Sequence, residues 1–255
     1  MNIRPLLAAL VCSLAMGGTA AAKGPAMGIE DRSAWSTEGL RNAHPDVRWR
    51  LEALEVLEQG KLSLARSYLE RAARYGDKPA QALLAEMHWE GRGGPRDHAA
   101  GYAWMDLAAE RGNALFASWR ERYWSELDER ERAQALEVGK GIYAEFGDAV
   151  AQPRLERTMA RHRRQGTGSR TGATIGVRVY EVPTVNTRGV GMVDVTGKKV
   201  AIGRHVPRYY EDKFWEADEY WAWKEAVLEQ SIDQIKGGTV TIGELEADGE
   251  AAPVE

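Results

Sequence analysis

The chain has a single cysteine among its 255 residues, and that residue, Cys12, lies close to the N-terminus. The rest of the sequence can therefore form neither a disulfide nor a thiolate metal site. The five histidines are scattered, and no two are spaced to share one face of a helix, so a zinc site is not predicted. We expect no metal or cofactor, and a fold that is stable through its own apolar core.

Long apolar runs are also missing beyond the first residues. The apolar run at 5–16 is too short to cross a membrane, which takes about 20 residues. A basic residue precedes it, and Ala20 and Ala22 follow it in the small-residue pattern of a cleavage site. Residues 1–22 are thus predicted to be a signal peptide, which makes the protein periplasmic or secreted, with no stable membrane span after cleavage. A lipid anchor on Cys12 and an uncleaved membrane anchor are the alternatives.

The sequence has no evident catalytic motif. The stretch GRGGPRD at 91–97 follows a helical pattern and carries neither the lysine nor the hydroxyl residue of a phosphate-binding loop, so we interpret it as the elbow of a helical hairpin. In GVGMVDVTGKK at 189–199, the glycines are one residue too far apart for such a loop, and the pattern favours a β-hairpin. No nucleophile is visibly paired with a base. We therefore predict no catalytic residues and no enzyme activity.

An internal repeat is the clearest positive feature of the sequence. ARSYLERAARYGD at 65–77 aligns with GYAWMDLAAERGN at 101–113 at a constant offset of 36 residues. The alignment keeps an aromatic residue, a pair of alanines and a closing glycine in register. The run at 80–90 has apolar residues three and four apart, as an amphipathic helix does, Gly91 can end that helix, and Asp97 can cap the next one. Each unit is thus predicted to be a hairpin of two helices.

Residues 80–113 resemble a SEL-one-like repeat (SLR), a relative of the tetratricopeptide repeat. The resemblance rests on residues that have the order and spacing of that family: Leu84, Gly91, Gly93, Asp97, Tyr102, Trp104, Ala108, Ala109, Gly112 and Asn113. The sequence departs from the family at Ala85, His88 and Gly101, where the family usually has glycine, tyrosine and alanine. The earlier unit, at 49–77, is closer to a tetratricopeptide unit.

This resemblance implies stacked hairpins whose concave surface, lined by the first helix of each hairpin, binds a protein or peptide partner. By position, the partner-binding groove would contain Arg50, Leu54, Glu58, Glu86, Trp89 and Glu90. Trp89 is the best candidate for an interface anchor, because a large aromatic residue with one polar group often dominates binding energy. The alternative is that Trp89 packs against the next unit or under the C-terminal part of the chain.

We predict a mainly α fold, a short α-solenoid of helix-turn-helix repeats with a C-terminal mixed α+β segment. A capping box of Asp128 and Glu131 predicts a helix that stops at Gly147, and Pro153 is expected to begin another. β-branched residues predict strands in TIGVRVYEV and VDVTGKKVAI. The expected order after the signal peptide is a linker at 23–48, two repeats at 49–113, a degenerate repeat and capping helices at 114–165, strands plus an aromatic-rich helix at 166–243, and an acidic tail at 244–255.

Charge is unevenly distributed along the chain, whose net charge is −4. Residues 154–208 carry a net charge of +9 and residues 209–255 one of −10, and such neighbouring blocks are expected to neutralise each other within one fold. The block at 154–178 could instead contact an anion through Arg154, Arg157, Arg161 and Arg164. A nucleic-acid partner is not expected, because the chain is acidic overall and the arginine block lacks interleaved aromatic residues.

We therefore predict a non-catalytic, exported repeat protein that mediates protein–protein interaction. Two alternatives stay open at this point. One is a cell-wall-associated ligand-binding protein or enzyme that acts through the C-terminal segment, and the other is an anion-binding adaptor that uses the arginine block. The aromatic cluster at 209–223 is either core or ligand surface.

Overall fold

The computed structural model describes Trp35 and residues 37–167, 180–181, 204–205 and 211–236. The predicted signal peptide, the acidic tail and most of the residues in the two predicted strand segments lie outside these ranges. Within them, no helix combines the length and the apolar character that crossing a membrane requires.

Helices dominate the described part of the chain, which confirms the prediction of a mainly α repeat fold. Short 3-10 turns lie at Ala109–Arg111 and Asp212–Phe214, and β1 (Tyr180–Glu181) pairs antiparallel with β2 (Arg204–His205), Tyr180 facing His205. The α-helices are α1 (Glu38–Ala43), α2 (Pro45–Glu58), α3 (Leu62–Ala73), α4 (Lys78–Glu90), α5 (His98–Ala108), α6 (Ala114–Glu126), α7 (Glu129–Phe146), α8 (Asp148–Thr167) and α9 (Ala217–Lys236).

The two repeat units form the hairpins α2–α3 and α4–α5, and local sequence signals set their ends. Asp77 and Asp97 cap α4 and α5, each accepting a hydrogen bond from the backbone N–H three residues later. Gly91 ends α4 in the left-handed conformation, with φ of 70°. The GRGGPRD stretch is therefore an elbow between two helices, as predicted.

Small residues let neighbouring helices approach closely. The alanine pairs that the repeat alignment matches, at 72–73 and 108–109, are all buried. Gly93 in the elbow has φ of 75°, and a Cβ built there would lie only 2.7 Å from the backbone carbonyl of Leu62, at the start of α3. Gly101 is also closely packed, although less tightly, because its Cβ would lie 3.1 Å from the backbone nitrogen of Trp89.

The helices after the repeats follow the predicted pattern in α7 but not in α8. α7 begins with the capping box of Asp128 and Glu131 and ends before Gly147. The helix expected to begin at Pro153 begins at Asp148 instead, with Pro153 in its interior. The backbone N–H of Asp148 donates to the carboxylate of Glu110, 3.1 Å away, and this bond holds the start of α8 upstream of the proline.

Two apolar clusters form the core. The larger one lies within and between α2 to α7, and Leu228 and Ile232 of α9 join it. The smaller one joins α1, α2 and α8 to the C-terminal segment through Trp35, Leu40, Ala43, Val47, Leu155, Met159, Phe214, Trp215 and Tyr220. Phe214, Trp215 and Tyr220 are therefore core residues. For these three members, the aromatic cluster at 209–223 is core and not ligand surface.

Candidate partner-binding groove

The first helices of the two hairpins, α2 and α4, present equivalent stripes of residues spaced four apart. On α2 the stripe is Asp46, Arg50, Leu54 and Glu58, where Glu58 is the last residue of the helix. Asp46 and Arg50 are buried, Leu54 is half-buried and Glu58 is exposed. Residues spaced by four share a helix face, so this one face passes from the interior to the surface.

The stripe on α4 shows the same gradient. It consists of Lys78, Ala82, Glu86 and Glu90, and Glu90 is again the last residue of its helix. Lys78 and Ala82 are buried, the Glu86 side chain is 14% exposed, and Glu90 is exposed. We call the buried N-terminal halves of the two stripes the closed end of the groove, and the halves from Leu54 to Glu58 and from Glu86 to Glu90 the open end.

Helix α9 covers the closed end. Its residues Tyr220, Lys224, Leu228 and Ile232 are four apart and all buried, so one face of α9 is directed inward. Two glutamates beside this face of α9 contact the end of the second repeat unit. Glu225 accepts a hydrogen bond from Arg111, at 2.8 Å, and Glu229 accepts one from Asn113, also at 2.8 Å. α9 therefore lies across the N-terminal ends of α2, α4 and α6. The contact with Asn113 places it at α6, because Asn113 caps that helix.

A buried ionic cluster links α9 to both repeat units. The Lys224 ammonium lies 2.6 Å from Asp46 and 3.0 Å from Asp77, and Arg50 Nε lies 3.0 Å from Asp77. Tyr220 donates its hydroxyl proton to Asp46 at 2.6 Å. Burial alone would raise the pKa of the Asp46 carboxyl, but the charges of Lys224 and His44 and the hydrogen bonds from Lys224 and Tyr220 together outweigh burial and lower that pKa below its ordinary value. The cluster is therefore stable in its charged form.

A second ionic cluster continues the first toward α8. Lys78 pairs with Glu110 at 2.7 Å and with Asp148 at 3.1 Å, and Arg111 pairs with Asp148 at 2.6 Å and with Glu225 at 2.8 Å. A small cavity between α9 and the repeats is lined by cations from both clusters. Each of those cations already contacts a carboxylate, so the cavity offers a ligand no unpaired cation.

Trp89 lies in the core rather than in the groove. Its side chain is buried, and its ring stacks on that of Tyr123, 3.9 Å away and nearly parallel, and on that of His98, 4.4 Å away. The prediction of an interface anchor does not fit this position, because α6 already occupies the face of the ring that a partner would need. The alternative interpretation, in which Trp89 packs against the next unit, describes the structure. Arg50 is likewise buried, under α9.

The other four predicted groove residues lie at the open end. Glu58 and Glu90 are exposed and Leu54 is half-buried, whereas the Glu86 side chain is 14% exposed. Burial raises the pKa of Glu86 to about 7, although Arg92, 3.6 Å away, partly opposes this effect. The open end therefore combines one apolar residue with exposed carboxylates at the C-terminal ends of α2 and α4.

The predicted anion contacts lie on α8. Arg157, Arg161 and Arg164 are exposed, whereas Arg154 donates to the backbone carbonyls of Arg74 and Glu145. Arg163, also in this helix, pairs with Glu216 of the acidic block. Within the described ranges, no group of three or more histidine, cysteine or acidic side chains could hold a metal ion.

Sequence reasoning missed Asp46 and Lys78 of the closed end, and it missed the residues that contact this end or cover it, Asp77, Tyr220 and Lys224. The repeat pattern identifies the first helices but not what covers them. One available signal was the spacing of four that joins Tyr220, Lys224, Leu228 and Ile232, which marks a helix face with a lysine among apolar residues. A lysine there is a candidate for a buried ion pair.

Comparison with known proteins locates the repeats. Residues 58–77 and 78–113 match the Sel1 repeat family model, and the boundary between the two matches falls at the start of α4. Among solved structures, the chain is similar to a protective antigen present in uropathogenic Escherichia coli strains, which displays an SLR fold. The two are 23% identical over 44% of this chain and 25% of that one, with a TM-score of 0.38. The chain thus spans about a quarter of that structure's length. Among curated proteins, none matches significantly.

Proposed function

We propose that this Sel1-repeat protein is a non-catalytic, exported binding protein that holds a protein or peptide partner at the open end of its groove. Helical repeats of this kind leave one surface of each hairpin free for a partner. Export is inferred from the signal-like residues 1–22.

One observation supports this surface more than any other. The equivalent stripes on α2 and α4 are both covered at their N-terminal halves, and both end in an exposed glutamate, Glu58 on α2 and Glu90 on α4. Leu54 offers an apolar contact, and Glu58 and Glu90 add negative charge where the helix dipoles of α2 and α4 are also negative. A partner segment with basic and apolar residues would complement this surface.

The anion-binding adaptor is a second candidate, because Arg157, Arg161 and Arg164 are exposed on one helix without a described carboxylate pair. Three exposed arginines could hold a phosphate or another polyanion, with an affinity that falls steeply as salt increases. The heparin affinity of the whole protein at physiological salt distinguishes this function from the first. Tight retention of the protein on heparin would favour the anion-binding adaptor. Passage without retention would favour partner binding in the groove.

A photo-crosslinker at position 90 tests the groove directly. The photoreactive residue is placed at Glu90 in the open end or, as a matched control, at Glu137, which is 75% exposed on α7. Both proteins are illuminated with the envelope fraction of the source cells. We expect position 90 to form a discrete crosslinked species that position 137 does not form. Identical products from both positions, or none from position 90, would contradict the proposal.

A further inference from the structure

His44 lies at the junction of α1 and α2, directly beneath the C-terminal segment. Its side chain is fully buried, and its ring lies 4.6 Å from that of Tyr220 on α9 and 5.9 Å from that of Trp215. On the other side, the ring of Trp35 lies 5.3 Å away. A neutral imidazole suits such an aromatic enclosure, whereas an imidazolium would be a charge removed from water.

Four groups act on the charge of His44 from the elements around it. Asp46 on α2 and the backbone of Phe214 favour the protonated form, and Lys224 on α9 and His162 on α8 oppose it. Burial exceeds all of them and lowers the pKa of His44 to about 4, from the 6.5 of an exposed histidine. At a pH between these two pKa values, His44 is mostly protonated when α9 is undocked and mostly neutral when α9 is docked.

We propose that α9 is an acid-released cover over the closed end of the groove, and that protonation of His44 is the event that releases it. Release uncovers Asp46, Arg50 and Lys78, so the groove extends from its open end to the full length of α2 and α4. That a partner binds along this added length rests on the function proposed above. The release of α9 does not depend on that function.

The contacts of α9 explain why acid should free this helix before the repeats unfold. Tyr220 both packs on His44 and donates to Asp46, and Lys224 binds the same carboxylate, so the docking of α9 depends on the surroundings of His44. The rings around His44, those of Trp35, Trp215 and Tyr220, belong to the smaller apolar cluster and not to the larger one within α2 to α7. Since α9 belongs to the same chain, its docking is intramolecular, so at neutral pH a free partner helix competes at a disadvantage for the closed end.

Hydrogen exchange on the whole protein, resolved by peptide, measures the release. The protection of α9 amides is compared with that of α4 and α5 amides from pH 6.5 to pH 4.5, after correction for intrinsic exchange. We expect the opening of α9 to increase by about tenfold between pH 6 and pH 5, as the uptake of one proton requires. Protection in α4 and α5 should stay nearly constant over the same interval, because the proton that His88 binds when α4 opens is offset by the proton that Glu86, with its pKa raised to about 7, then loses.

Two variants show which histidine is responsible. His44→Phe keeps an aromatic ring in the enclosure and removes the proton site, so α9 protection should no longer change between pH 6 and pH 5. His88→Tyr is the matched control, because His88 is also buried and its pKa is also lowered to about 4, but it lies in α4, within the repeats. The pH response of α9 in that variant should be the same as in the unaltered protein.

The proposal is overturned if α9 protection in the unaltered protein is independent of pH over this range, or if α4 and α5 lose protection together with α9. An undiminished response in a folded His44→Phe protein also overturns it. If that variant does not fold, the comparison of α9 with α4 and α5 in the unaltered protein still decides. Failure of the crosslink at position 90, which is measured at neutral pH, would instead contradict the proposed function alone.

Discussion

The Lys224 ammonium on α9 lies 2.6 Å from the Asp46 carboxylate at the start of α2, although 178 residues separate them in sequence. Both side chains are almost completely buried, and the same ammonium also contacts Asp77, the cap of α4. One cation therefore joins the C-terminal helix to the N-terminal ends of two repeat helices. The arrangement defines the closed end of the groove.

Lys224→Met should destabilise the protein strongly. The variant keeps an unbranched side chain but leaves Asp46 and Asp77 with less compensating charge, and breaking a buried pair by removing one partner typically costs about 3 to 5 kcal/mol. Urea unfolding gives the free energy directly. Lys140→Met is the control, since Lys140 is 74% exposed in its pair with Glu137 and should change stability by less than about 1 kcal/mol. Equal stability of the two variants would show that the buried pair contributes little.

Trp89→Ala should lower the stability of the repeats, because it removes a ring stacked on both Tyr123 and His98. Large-to-small changes at buried aromatic positions cost about 3 to 5 kcal/mol. Thermal melting should show a decrease of many degrees. A normal melting temperature together with weaker partner binding is the result expected of an exposed anchor, and it would contradict the buried position described here.

Gly93→Ala should destabilise the protein more than Gly60→Ala, although both glycines have nearly the same left-handed backbone, with φ of 75° and 72°. A Cβ at position 93 would lie 2.7 Å from the Leu62 carbonyl, whereas one at position 60 meets nothing within 4 Å. The backbone strain of about 1 kcal/mol is common to both, so the difference in unfolding free energy isolates the contact between elbow and α3. Identical losses would mean that α3 can move aside.

Glu86→Gln should stabilise the protein in alkaline but not in acidic solution. The pKa of Glu86 is raised to about 7, above its ordinary 4.5, so this residue favours folding while protonated and opposes it as pH rises through about 7. Glutamine removes that pH dependence. At pH 8 we expect the variant to gain up to about 3 kcal/mol, and at pH 4 to differ little. Denaturant midpoints at the two pH values check the sign, and an equal effect at both would contradict it.

The sequence predicted the repeats well because their signals are local. Gly91, Asp97 and the alanine pairs act within one hairpin, and each requirement can be recognised from a few neighbouring residues. Whether a residue on a first helix is exposed depends instead on what lies over it. Arg50 and Trp89 were placed correctly on their helices, but α9 covers one and α6 covers the other. Such long-range contacts leave no pattern on α2 and α4 themselves, and the spacing of four on α9 shows a buried face without showing what it covers.

Partner affinity tests the central claim, that the open end of the groove binds the partner. The double charge reversal Glu58→Lys with Glu90→Lys changes two exposed residues of that surface, and Glu121→Lys with Glu137→Lys changes two others that are 67% and 75% exposed elsewhere. With the partner identified by crosslinking, we expect the first pair to raise Kd at least tenfold, or about 1.4 kcal/mol, and the second to leave it nearly unchanged, with both melting like the parent. Equal effects of the two pairs on Kd, or unaltered affinity in the first, would contradict the account.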